Sequence, residues 1–318
     1  WHGIAQDEKP DLSAGLFLYV RFLGIATDQP LAAVRIGGAL GAALFVQHQL
    51  LEQPRPHVAA KKDSLKGSLL GPQFSNAEIR AFLDEKKVRY TCYEAEPELL
   101  TAVAKEMASE QVVGWFHGRM EFGPRALGAR SILGDPRSPA MQSQMNLRIK
   151  FRESFRPFAP CVLIEDVAKY FDHDRESPYM LMVAGVKKEH WLPLTDEQRR
   201  LMCDPDLRKR VNVPRSTLPA ITHVDMSARL QTVDAPRHGR YYRLMREFKR
   251  QTGCGVIINT SFNIRGEPIV CTPADAYRCF MASDMDVLVL ENCVLRRTEQ
   301  PQQDESTRKK YIESFKLD

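Results

Sequence analysis

No apolar run in this 318-residue chain approaches the roughly 18 residues of a membrane-spanning helix. The opening residues also lack the basic-then-apolar order of a signal peptide. Cys92, Cys161, Cys203, Cys254, Cys271, Cys279 and Cys293 never fall within four residues of one another, which excludes CxxC redox and zinc patterns. Most sit in apolar runs and read as small core residues of a reduced, cytoplasmic protein. The common nucleotide and hydrolase signatures are missing too. Gly118–Gly123 has the outer spacing of a phosphate loop, but Pro124-Arg125 follows where Lys-Ser/Thr is required. There is no GxGxxG, GxSxG or HExxH. With 43% hydrophobic and 27% charged residues the chain is neither disordered nor collagen-like. Its length suggests two domains, or one and a part.

What is present is charge concentrated in one place. The whole chain carries a formal +5, and Arg119–Arg156 alone accounts for it. That segment holds eight bases (Arg119, Arg125, Arg130, Arg137, Arg148, Lys150, Arg152, Arg156) against three acids (Glu121, Asp135, Glu153). Seven of the eight are arginine, whose planar fork suits bidentate capture of phosphate or carboxylate.

Periodicity predicts short strands interleaved with helices, hence α/β or α+β. Ser75 and Glu78 form a capping box for a helix to about Lys87. Helices are expected over 97–109, 140–152, 239–252 and 273–283. Strands are expected over 88–93, 111–117, 157–163, 179–183, 220–225, 228–233, 255–259 and 287–290. Residues 187–215 read as a charged surface excursion, and the polar tail after Arg297 as frayed.

Four segments carry chemistry. In Gly118–Ser131, Gly123, Pro124 and Gly128 make a turn that brings backbone close to a ligand and projects Arg125. Arg119 and Arg130 are further candidates there, one of them as a structural partner of Glu121. In Asn146–Pro160, helical spacing puts Asn146 and Lys150 on one face. Pro157 and Pro160 extend the chain and return Arg156 toward them. Arg125, Lys150 and Arg156 together would cradle a triphosphate or acyl phosphate. On a strand, His223 and Asp225 share a side as an acid–base pair or a metal–phosphate contact, and Arg229 adds an anion contact. Finally, the strand ending at Asn259 and Ser261 opens into a polar turn, where α/β folds hold ligands. There Glu267 would orient Arg265 or a metal.

In order and spacing these segments resemble the O-carbamoyltransferases of natural-product and nodulation-factor biosynthesis, closely over Gly114–Arg297 and more loosely over 67–113. The resemblance implies a YrdC-like carboxy-terminal domain: an α/β twisted mixed sheet with flanking helices, over 67–300. A polar tail would follow over 301–318. Residues 1–66 would be a short helical remnant of an actin-like domain with its linker. The resemblance further implies ATP with Mg2+ and carbamoyl phosphate as reactants, and carbamoyl-adenylate and pyrophosphate as products. The acceptor would be a hydroxyl of a small molecule. It places Arg125, Lys150 and Arg156 on the family's anion-binding positions, and Met180, Arg229, Asn259 and Ser261 around carbamoyl-adenylate. The chain departs from the family where the amino-terminal metal pair HxxH is absent and Arg35 stands at a metal-site aspartate. No metal ligand is therefore assigned. Two rivals follow: a degenerate subunit needing a metal-bearing partner chain or a second copy, and a tRNA-associated threonylcarbamoyl-adenylate-type enzyme. The second is disfavoured because the basic charge is concentrated in one presumed pocket and is not spread with aromatics as a stacking surface would need.

Overall fold

The computed structural model describes residues 41–54, 63, 65–302 and 304–315. Contacts divide the chain into Trp1–His57 and Val58–Asp318. Most of the amino-terminal remnant reading, including Arg35, lies outside the described residues. Within it, 41–50 is helical and ends in the π-turn Val46–Leu50.

The larger unit is built on a nine-stranded mixed sheet of order β1-β9-β8-β2-β3-β7-β4-β6-β5. In chain order the strands are β1 (Thr91–Cys92), β2 (Val113–Phe116), β3 (Arg130–Gly134), β4 (Ala159–Leu163) and β5 (Met182–Gly185). β6 (Ser227–Val233), β7 (Val256–Ser261), β8 (Val287–Leu290) and β9 (Cys293–Arg296) follow. β2 runs parallel to β8 and β4 parallel to β6, while the remaining neighbours are antiparallel. β2, β3, β4 and β8 are buried along their whole length, and Val/Ile/Leu runs of the kind such burial favours occur at Val256–Ile258 of β7 and Val287–Leu290 of β8.

The flanking helices are α1 (Asn76–Glu85), α2 (Glu96–Ala108), α3 (Arg240–Thr252), α4 (Pro273–Ala282) and α5 (Glu305–Glu313). The α1 capping box forms as expected: Glu78 N donates to Ser75 Oγ and Ser75 N to Glu78 Oε2. On α3, Tyr241, Leu244, Met245 and Phe248 supply the buried stripe. No described helix is long and apolar enough to cross a membrane.

Several expectations are corrected. The strand expected over 88–93 pairs only at Thr91 and Cys92. β3 and β9 went unread; β3 starts on an arginine and ends on a glycine, and only its neighbours β2 and β7 make it a strand. Residues 220–225 form turns instead of a strand: His223 N donates to Ser227 O and Met226 N to His223 O. The tail is ordered as α5, tied down by Arg308, which bonds Ala282 O at 2.9 Å and Asp284 at 2.7 Å. The cysteines are not all thiols, since Cys92 and Cys293 lie opposite each other on β1 and β9 and form a disulfide. They are 201 residues apart, so only strand register brings them together.

Candidate functional site

β7 runs antiparallel to both β3 and β4, and its carboxyl end opens beside the start of β4. A cavity of about 140 Å3 sits there, lined by Pro124, Arg125, Ala126, Arg152, Pro157, Phe158, Ala159, Met180, Arg229, Asn259, Thr260 and Ser261. A second cavity of about 340 Å3 shares Arg152, Pro157, Phe158, Ala159 and Arg229 with it. This one continues to Arg156, Val183, Ile221, His223, Ser227 and Ala228. Together they form one cleft, polar at its inner end and partly apolar at its outer end.

The loop bearing Arg125 is shaped by a carboxylate. Buried Glu121 accepts from the backbone N–H of Leu127 (2.7 Å), Ala129 (2.6 Å) and Arg130 (3.3 Å) through a single oxygen. Gly128 adopts φ +112°, and a Cβ there would stand 2.3 Å from a ring carbon of Tyr241, so no other residue fits. Asn259 spends its amide hydrogens on Ala126 O (3.0 Å) and Gln231 Oε1 (2.9 Å), which ties β7 and β6 to the loop. Among the described residues its own Oδ1 is buried without a partner. A buried acceptor in that state is costly unless a ligand satisfies it.

Charge distinguishes this cleft from the rest of the surface. Among the described residues, none of Arg125, Arg152 and Arg229 is paired with a carboxylate, and Arg156 meets only exposed Glu153 at 3.0 Å. Burial, and then Arg156, lower Arg152 to about 10. Partial burial, followed by the proximity of Arg125, also lowers Arg229. Cations that repel one another and lack counter-ions make an anion site. The roomier groove of about 490 Å3 between α2 and α3 is also rich in arginine. There, however, Arg243 binds Glu96, Arg250 binds Glu247 and Arg246 faces Glu165.

Not every expected residue faces the cleft. Lys150 is buried behind it and donates to Ser261 O, to Asn263 O (2.8 Å) and to Asn263 Oδ1 (2.9 Å). Its partners are not those of Asn146: the helix expected over 140–152, which would have put both on one face, is a short α-turn, Met141–Gln144, followed by the π-turn Met145–Ile149. Asn146 instead binds Arg156 O at 2.8 Å and accepts from Arg152 Nε at 2.6 Å. Arg130 is wholly buried over the Phe116 ring and caps the carbonyls of His117, Gly118, Ala129 and Pro72. Burial lowers it to about 10. Arg119 is exposed and bonds Gly71 O at 3.1 Å. Neither arginine is ion-paired to Glu121, which serves backbone N–H groups instead. His223 and Asp225 do meet, at 3.0 Å, but in an exposed turn at the cleft's outer end. Among the described residues Glu267 does not pair with Arg265; it accepts from Ile264 N (2.8 Å) and from the Tyr311 hydroxyl of α5. No group of three His, Cys, Asp or Glu suited to a metal exists among the described residues.

Burial, reinforced by Arg152, lowers Lys150 from 10.5 to about 7. Between those values the unfolded chain holds a proton on Lys150 that the folded chain has lost, so stability rises with pH across that window. Urea denaturation at pH 7 and pH 9.5 should show this rise in the parent, and Lys150→Met should flatten it. An unchanged slope in the variant would contradict the assignment.

The sequence reading passed over Arg152, which lines both parts of the cleft, and Glu121 as the organiser of the loop. Arg152 was visible only as one arginine among seven.

Comparison with known proteins bears on this arrangement. The Carbamoyltransferase C-terminus family matches residues 104–297, more than half of the chain and all of β2 to β9. The chain belongs to the carbamoyltransferase family. A Synechocystis sp. protein, sll1178, is 56% identical over 90% of this chain and 46% of its own length. The nodulation protein NolO of Bradyrhizobium diazoefficiens is 35% identical over 89% of the chain and 46% of its own. The 3'-hydroxymethylcephem-O-carbamoyltransferase of Streptomyces clavuligerus is 34% identical over 62% of the chain and 33% of its own. The chain thus spans at most about half the length of these relatives, and its cleft lies wholly within the segment that matches the carbamoyltransferase family.

Proposed function

We propose that this chain binds ATP and carbamoyl phosphate and forms carbamoyl-adenylate, the activated donor for carbamoylating a small-molecule hydroxyl. The observation that carries this reading is the convergence of Arg125, Arg152, Arg156 and Arg229 on one cleft with almost no carboxylate to neutralise them. Hydrolysis of carbamoyl phosphate yields carbamate and phosphate. A carbamate oxygen then attacks the α-phosphorus of ATP, the bond to the β-phosphate oxygen breaks, and pyrophosphate leaves. Such a step requires charge neutralisation and alignment more than a protein nucleophile, and guanidinium groups supply both. The orphaned Asn259 Oδ1 suits the amide N–H of a carbamoyl group, and the partly apolar outer cavity suits a nucleoside. Among the described residues no carboxylate lines either cavity to hold a resident metal ion. Mg2+ would therefore enter as the magnesium–ATP complex, carried by the phosphates. Transfer to the acceptor belongs, on this reading, to the longer architecture of the relatives.

The test is incubation of the chain with ATP, Mg2+ and carbamoyl phosphate. Pyrophosphate release that depends on carbamoyl phosphate is expected, with carbamoyl-adenylate seen by mass spectrometry. Failure to bind nucleotide at millimolar ATP would overturn the reading.

A further inference from the structure

Asp63, Leu65 and Lys66, expected to end a linker, and Gly67–Pro72, expected to begin the YrdC-like domain, run together as a strap joining two walls of the cleft. On one side the strap pairs with the base of the Arg125 loop. Phe122 N donates to Ser68 O (2.7 Å), Met120 N to Pro72 O (2.9 Å) and Gly71 N to Met120 O (2.9 Å), while Leu69 bridges to Glu121. Glu121 is the carboxylate that shapes that loop. On the other side Asp63 accepts from the Tyr179 hydroxyl at 2.5 Å. Tyr179 precedes Met180, which lines the cleft with a positive φ of +55°, a conformation that needs support from its surroundings. The Asp63 carboxylate also accepts from Leu65 N (3.0 Å), Gly67 N (3.0 Å) and Arg237 Nε (3.2 Å). Arg237 is anchored in turn by Asp234 and Glu176. The Asp63 side chain is only 15% exposed.

We infer that this strap is a positioning element of the cleft and Asp63 a positioning residue, setting the Arg125 loop and the Met180 turn against each other. A strap that merely added stability would touch one wall; this one bonds both, and one of its contacts is the residue next to a cleft-lining methionine in a strained conformation. The inference relies on the nucleotide reading for its binding measurement only.

The experiment compares the parent chain with Asp63→Ala, Tyr179→Phe, their double variant and Leu83→Ala, a core change in α1 away from the strap. Hydrogen exchange should accelerate in Asp63→Ala at the amides of Leu127, Ala129 and Met180, but not in β8 or β9. In Tyr179→Phe it should accelerate around Met180 alone. The Kd for magnesium–ATP should rise about tenfold in Asp63→Ala and about threefold in Tyr179→Phe, in line with the cost of small misplacements in a site. The double variant should bind no more weakly than Asp63→Ala, because the Tyr179 hydroxyl has Asp63 as its hydrogen-bond partner. Leu83→Ala should lower the Tm and leave Kd and loop exchange unchanged. Exchange changes confined to 65–72, or an equal loss of affinity in Leu83→Ala, would overturn the inference. A parent chain that binds no magnesium–ATP would instead overturn the proposed function, and the exchange pattern alone would then decide the role of the strap.

Discussion

Arg152→Ala should lower kcat/KM for carbamoyl-phosphate-dependent pyrophosphate release by about 10²- to 10³-fold, the usual consequence of removing one preorganised charge from a phosphoryl-transfer site. Arg152 lines both parts of the cleft, so its guanidinium lies between the proposed carbamoyl and nucleoside ends. Its orientation is fixed before any ligand arrives. Nε is held by Asn146 Oδ1 at 2.6 Å, and the guanidinium carbon lies 5.0 Å from the centre of the Phe158 ring. Arg152→Lys keeps the charge but loses the planar fork, and should recover only part of the activity. Steady-state kinetics on the three proteins decide the matter, and a loss below threefold in Arg152→Ala would remove this residue from the site.

The second large effect is on folding. Glu121→Ala should destabilise the chain by roughly 3 kcal/mol or more, since it strands the backbone N–H groups of Leu127, Ala129 and Arg130 in a buried loop. Glu121→Gln should cost less, because a side-chain amide oxygen can still accept those bonds. The shift in the urea midpoint, compared across the two variants, separates the role of acceptor from that of charge. If Ala and Gln destabilise equally, the carboxylate is acting through its charge. If neither does, the loop does not depend on Glu121. Loss of the loop would also misplace Arg125, so Glu121→Ala should lose activity even in the fraction that remains folded.

The two variants probe different kinds of information. Arg125, Arg156, Arg229, Asn259 and Ser261 all line the cleft and are legible in their motifs, because short-range patterns such as a glycine–proline turn or a strand emptying into polar residues are local; Met180 lines it too, but only the family resemblance points to it. Lys150 stood out for the same reason. What it touches is set by β7 and the turn beyond, more than a hundred residues away. Glu121, Arg130 and Glu267 were legible only as charges. The partners of Glu121 and most of those of Arg130 are backbone groups, which leave no mark in the order of side chains, and Glu267 shares its carboxylate between Ile264 N and the distant Tyr311 hydroxyl.

From the sequence alone came the α/β alternation, the concentration of the net +5 charge in Arg119–Arg156, and the family whose residues it shares. Only the tertiary structure separated arginines that support the fold from arginines left free for a ligand. A guanidinium over Phe116 and one over Phe158 look alike in one dimension. They differ in whether four backbone carbonyls or an open cavity meets their N–H groups, and the crossing of distant strands decides that.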